Sequence, residues 1–141
     1  MKILIAVDGS KHTQKAIDYL AKHRANFVDG HELVVVHVCS GIPPHAARHV
    51  SKEVLEDYYA EENGKVIGPV KENLAARGIT DYTLEQRHGN AAEEILRAAT
   101  IVHADLIVMG THGHGIFGRA LMGSVTTKVI AETDISVLLV Q

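Results

Sequence analysis

The chain has a single cysteine, Cys39, no tryptophan and only three prolines, and aromatic residues fill 4% of its 141 positions. Each shortage excludes something. One thiol forms no intramolecular disulfide and no cysteine-based metal cluster, and it suits a reducing compartment. So few aromatics leave little material for the stacking platforms that hold single-stranded nucleic acid. Basic excess is lacking too. The 14 Lys and Arg stand against 17 Asp and Glu, a formal net charge of -3, whereas binders of nucleic acid or membrane surfaces carry surplus positive charge. No apolar run approaches the length of about 18 residues that marks a transmembrane helix. The N-terminal run Ile3–Val7 is stopped by Asp8, too short for a signal-peptide core. No nucleic-acid partner, no membrane insertion and a cytoplasmic location are therefore expected. Neither a linker, a charge block nor an internal repeat divides the chain, so residues 1–141 read as one domain. What the chain does have is a globular share of hydrophobic residues, 46%, and an unusual ten histidines.

The hydrophobic residues are grouped. Lys2–Val7 (KILIAV), Glu32–Val38 (ELVVVHV), Asp105–Met109 (DLIVM) and Ser136–Val140 (SVLLV) are short runs rich in β-branched residues, as in strands buried on both faces. Ile79–Arg87 alternates more weakly and reads as a further strand. Ser10 stands where it can cap a helix that places Ala16, Ile17, Leu20 and Ala21 on one face. A long helical pattern runs from about His49 to Arg77, with Leu55, Tyr59, Val66, Val70 and Leu74 recurring at spacings of four or seven. Gly64, Gly68 and Pro69 interrupt it, so the helix either kinks there or stops and restarts with Pro69 in its first turn. Gly78 fits its end. Asn90, with Glu93 three residues on, resembles a capping box for a helix that turns Ile95, Leu96, Ala99 and Val102 inward. A last helix, about Ser124 to Glu132, is expected to bury Val125, Val129 and Ile130. Strands alternating with helices predict a parallel sheet covered on both faces, with right-handed crossovers. Ligands of such sheets bind beyond the strand carboxyl ends, which directs attention to the loops after the first, second and fourth strands.

The last of these loops, after the fourth strand, is dense in glycine: Gly110-Thr-His112-Gly113-His114-Gly115-Ile-Phe-Gly118-Arg119-Ala-Leu-Met-Gly123-Ser124-Val125-Thr126. It follows a strand and opens a helix. Glycine lets the backbone approach a ligand closely, and a helix start offers amides and the positive end of the dipole to an anion. Hydroxyls from Ser124 and Thr126, with His112, His114 and Arg119, add donors or positive charge. The chemistry is that of a phosphate site. Two familiar fingerprints fit only in part. Gly113-x-x-x-x-Gly118 begins like a P-loop, but Arg119 and Ala120 replace the lysine and the magnesium-binding hydroxyl. Gly113-x-Gly115-x-x-Gly118 matches the dinucleotide pattern, yet it precedes the last strand, and Asp134 lies before that strand instead of after it.

Gly110, two residues, Gly113, nine residues and then Gly123-Ser124 is a spacing that resembles the ATP-binding branch of the universal stress protein family. The start KILIAVDGS, the HV ending the second strand, the VMGTHGHG turn, the GSVTTKVI helix start and the closing SVLLV are similar to that family over the whole chain. The resemblance implies an open five-stranded parallel sheet, order 3-2-1-4-5, Rossmann-like and similar to the adenine nucleotide alpha hydrolase fold. It implies that Gly110, His112, Gly113, Gly123, Ser124, Val125 and Thr126 hold the phosphates and ribose, with His114 and Gly115 completing the loop. Ala6 and Val38 would contact the adenine, Val38 through its backbone, with Val7 and Asp8 beside them; Asp8 would lie near ribose or base and Met109 would pack on the nucleotide. Ala6 departs from relatives with proline there, a change that a backbone contact survives. The implied cofactor is ATP, with Mg²⁺ able to accompany its phosphates. The implied state is a homodimer paired through the C-terminal strand, with a regulated protein as a further partner and little or no catalysis.

Other readings compete. The same fold would serve a slow ATPase or nucleotidyl-transferring hydrolase, but no carboxylate pair beside the glycine loop supplies a general base. The spacing His45-x-x-x-His49 is that of a metal site or pH-responsive module, though no third ligand is visible nearby. Asp8 would otherwise serve only to cap the first helix with Ser10. Cys39 reads as a small buried or loop thiol, and Tyr58-Tyr59 as half-buried helix surface. Protonation of the loop histidines in mild acid is expected to strengthen ATP binding.

Overall fold

The computed structural model describes residues 1–40, 46, 48–111 and 123–141. Its sheet is laid down by the apolar runs. β1 (Lys2–Val7), β2 (Glu32–Cys39), β3 (Thr83–His88), β4 (Leu106–Gly110) and β5 (Ser136–Val140) pair in the order β3-β2-β1-β4-β5. Every pairing is parallel, with Ile5 opposite both Val35 and Val108 at the centre. Strand order reverses at β1, between β2 and β4.

Alternation along each strand sorts side chains between two cores. Ile3, Ile5 and Val7 face α1 (Lys11–Lys22) and α3 (Lys52–Ala76), whose Ile17, Leu20, Ile67 and Leu74 meet them. Leu4 and Ala6 face α4 (Ala91–Ile101) and α5 (Ser124–Glu132), meeting Ile95, Ala99 and Val129. Both faces are covered, as continuous apolar strands require. A single turn of helix, α2 (Arg24–Phe27), follows α1 and was not anticipated.

Local signals account for most boundaries. Ser10, Ser51 and Asn90 occupy N-cap positions, and their side chains accept from the amides of Thr13, Val54 and Glu93. The long helix neither stops nor restarts: α3 runs unbroken with Pro69 inside it. Proline in a helix interior costs about 3 kcal/mol. Gly68 just before it eases the local strain, because it presents no Cβ to the proline ring.

The weakly alternating strand begins four residues later than expected, at Thr83 rather than Ile79. Ile79 belongs instead to the end of α3. Its amide donates to the carbonyl of Leu74 (2.9 Å) and that of Gly78 to Ala75 (3.0 Å), the two bonds of a Schellman motif. Ile79 and Leu74 then share the same core cluster, which explains an apolar residue outside any strand. In α5 the expected Ile130 is 38% exposed, and Thr126 is buried in its place beside Val129. The tie that buries Thr126 is described below.

Candidate functional site

The carboxyl ends of β1, β2 and β4 bring the turn after β1, the end of β2 and the two ends of the glycine segment to one edge of the sheet. Ala6, Val38 and Met109 lie in one apolar cluster on the α4/α5 face, although they come from three strands. Val7 does not join them. Its side chain belongs to the opposite core, against α1 and α3, because neighbouring residues of a strand point to opposite faces. The Val7 side chain therefore faces away from Ala6, Val38 and Met109.

The turn after β1 is organised by Asp8. Its Oδ1 accepts from the amide of Ser10 (2.9 Å) and from the hydroxyl of Thr13 (2.7 Å), while its own amide donates to that hydroxyl (3.0 Å). Gly9 sits at φ +79, a left-handed conformation that favours glycine, with Val66 of α3 against the position a Cβ would take. Asp8 thus does part of what the capping alternative proposed: it fixes the turn, and Ser10 caps the helix.

The segment after β4 starts and ends at one point. The amide of Gly123 donates to the carbonyl of Thr111 (2.9 Å), and the amide of Thr111 to that of Val140 (3.2 Å). The Thr126 hydroxyl donates to the carbonyl of Gly110 (3.0 Å), tying the first turn of α5 to the end of β4. Gly110 is required by its neighbour. A Cβ there would stand 2.6 Å from the Cβ of His12 and 3.0 Å from its backbone, so the start of α1 can lie this close to the end of β4 only because Gly110 has no side chain. His112, Gly113, His114, Gly115 and Arg119 lie outside the described residues, as does His45 of the histidine pair.

α5 starts differently from the other long helices. Its N-cap is Gly123, and no side chain caps it. The first bond within the helix is from the amide of Thr127 to the carbonyl of Gly123 (3.0 Å), so the amides of Ser124, Val125 and Thr126 have no acceptor inside the helix. Amides collected at the positive end of a helix dipole suit a phosphate in charge and geometry. Ser124 is exposed there, and Val125 and Gly123 are half-buried.

A second polar cluster, which the sequence did not signal, pins the end of β2. His37 and Asn63 are both buried, with His37 Nδ1 2.5 Å from Asn63 Oδ1. The Asn63 amide nitrogen donates to the carbonyl of Tyr59 (3.0 Å), which leaves its oxygen for His37 and makes Nδ1 the protonated ring nitrogen. The Tyr59 ring stacks on His88, at 4.1 Å and 7° between planes. Cys39 is buried at the end of β2; burial, and secondarily the charge of Glu62, push its thiol above the ordinary value. On the other face the buried Glu94 takes Arg87 (3.1 Å) and Arg97, fixing α4 to the edge strand β3. Among the described residues, no cluster of His, Cys, Asp or Glu has the makings of a metal site. Nor is any helix among them long and apolar enough to cross a membrane.

Known proteins share this arrangement. The sequence profile of the universal stress protein family matches residues 1–141. A universal stress protein of Thermus aquaticus, from the 3′ region of a sulfhydrylase gene, is 38% identical over 139 residues, 99% of this chain and 97% of the relative. Universal stress protein UspA from Lactobacillus plantarum superposes with a TM-score of 0.79 at 19% identity, covering 100% of this chain and 97% of that one. A universal stress protein solved in complex with cAMP gives a TM-score of 0.67 at 23% identity, covering 100% and 96%. One from Archaeoglobus fulgidus solved with dAMP gives 0.67 at 22%, covering 100% and 98%.

Proposed function

The chain belongs to the universal stress protein family, and we propose that it binds ATP in the crevice beyond β1, β2 and β4, as a regulatory module with little or no turnover. The observation that carries this reading is the uncapped start of α5, set at the strand-order reversal and tied by Thr126 and Gly123 to the end of β4. The adenine nucleotides held by the cAMP and dAMP complexes of two relatives support the ligand class.

In this reading the amides of Ser124 and Val125, with His112, Gly113, His114 and Gly115, receive the phosphates. Gly110 and Thr126 hold the floor of the site, and Asp8, Ala6, Val38 and Met109 bound the nucleoside side. Mg²⁺ accompanies the phosphates from solvent. The protein acts in the cytoplasm, where nucleotide occupancy reports to a regulated partner.

The homodimer forms by pairing β5 with its twofold mate. Among the described residues β5 pairs with no strand but β4, and its Val137, Leu138 and Leu139 are half-buried along that edge of the sheet, which invites pairing. Leu138→Lys then yields a monomer in sedimentation.

Heat release of small molecules from purified protein tests the central reading. Adenine nucleotide near one per chain is the expected result. Protein that emerges empty and binds no ATP by calorimetry, even at millimolar concentration, overturns it. Gly113→Val is expected to abolish binding while leaving the circular dichroism of the fold unchanged. Phosphate release well below one turnover per minute separates a regulatory module from an ATPase.

A further inference from the structure

α3 is longer than the sheet it covers. Its buried residues, Asn63, Ile67, Val70 and Leu74, all lie from the middle of the helix onward. Asn63 stands beside His37 near the end of β2, and Tyr59 stacks on His88, the last residue of β3. The turns before Tyr59 therefore reach past the carboxyl edge of the sheet, by about 10 Å at 1.5 Å per residue.

This projecting part is chemically one-sided. From Glu53 to Glu62 the chain carries five of its 17 acids and no Lys or Arg. The helix dipole accounts for acids in the first turn only, here Glu53, which leaves Glu56, Asp57, Glu61 and Glu62 without that explanation. Lys65 pairs with Glu62 (2.9 Å) and Lys52 approaches Glu56 (4.0 Å). Among the described residues, no cation lies within ion-pair distance of Glu53, Asp57 or Glu61. These three recur every fourth residue, so they form a stripe about 12 Å long.

Beside that stripe run Val54 and Tyr58, also four apart, which are 55% and 40% exposed. On a helical wheel both point away from the direction of Asn63, Ile67 and Val70, so the sheet has no claim on them.

We infer that this outward face of α3 is a docking surface for a basic amphipathic helix of a partner protein. Charge complementarity selects the occupant. Lys or Arg at every fourth position would meet Glu53, Asp57 and Glu61, while an adjacent apolar stripe covers Val54 and Tyr58. A second copy of the chain is disfavoured, because a twofold contact of this face with itself sets like charges opposite one another. The same helix reaches the turn after β1 farther along, where Val66 packs against Gly9.

The test uses the whole chain and a fluorescent synthetic helix of about five turns, with Lys at every fourth position beside a Leu stripe. A control peptide carries Glu in place of each Lys. Anisotropy is expected to show binding of the basic peptide alone, weakened by added salt. The combined variant Glu53→Lys, Asp57→Lys, Glu61→Lys is expected to lose about tenfold or more in affinity. Val54→Ser with Tyr58→Ser, which leaves the charge unchanged, is expected to lose about fivefold. Circular dichroism and ATP affinity stay at wild-type values in both. Undiminished binding by the charge-reversed variant overturns the inference. So does a loss confined to charge reversal, which would reduce the face to an unspecific acidic patch. Sedimentation showing that the serine variant dissolves a dimer overturns it as well, since the occupant would then be a second copy.

Discussion

The turn after β1 and the segment after β4 leave adjacent parallel strands at the same edge of the sheet, yet they start their helices by different means. After β1 the turn supplies acceptors for several of its own amides and hydroxyls. Asp8 accepts from Ser10 and Thr13, and Ser10 accepts from Thr13 in turn. After β4 the helix begins at Gly123, and among the described residues no side chain caps it. The Thr126 hydroxyl is turned to the carbonyl of Gly110. One helix start is capped by its own residues and braces the fold. The other is braced from behind, and in the proposed reading its first amides stay open to an anion.

Closing the open end should have the largest effect. Gly123→Asp would give α5 a side-chain cap, as Ser10, Ser51 and Asn90 give the other long helices, worth about 0.5 kcal/mol to stability. The same carboxylate would occupy the amides and repel phosphate, so ATP affinity is expected to fall about 100-fold, or about 2.8 kcal/mol. A stable variant with wild-type affinity in calorimetry would show that these amides do not receive the ligand.

Gly110→Ala attacks the packing both turns share. Its methyl meets the backbone of His12, which no rotamer change relieves, so a loss of about 2 kcal/mol is expected in urea denaturation. Ser10→Ala opens the closed end and should cost about 1 kcal/mol with little change in ATP binding; a large affinity loss would move that turn into the site proper. The smallest effect concerns Cys39. Its thiol is pushed up by burial and then by Glu62, so little thiolate forms at about pH 8 and alkylation is slow there. The rate should rise only in stronger base, with a small gain in Glu62→Gln. Rapid labelling at neutral pH would contradict that placement.

Much of this was legible in the chain because it is local. Ser10 and Asn90 announced helix starts three residues from the amides they accept, and each apolar run became a strand. Ile79 misled because an apolar residue after glycine serves a Schellman motif as well as a strand. Pro69 could not be resolved by pattern alone. Its helix survives because Ile67, Val70 and Leu74 are buried on either side of it, and that burial outweighs the lost bond. Val7 was grouped with Ala6 and Asp8 by sequence adjacency, whereas pleating sends it to the other face.

The sequence by itself determined the alternation of strands and helices, the caps and the glycine segment, since each depends on residues within a turn or two of one another. Tertiary structure alone decided that Gly110 must admit His12, that Asn63 holds His37 from 26 residues away, and that Thr126 turns inward to the carbonyl of Gly110. Those contacts join segments distant along the chain, and packing, not local propensity, chooses their partners.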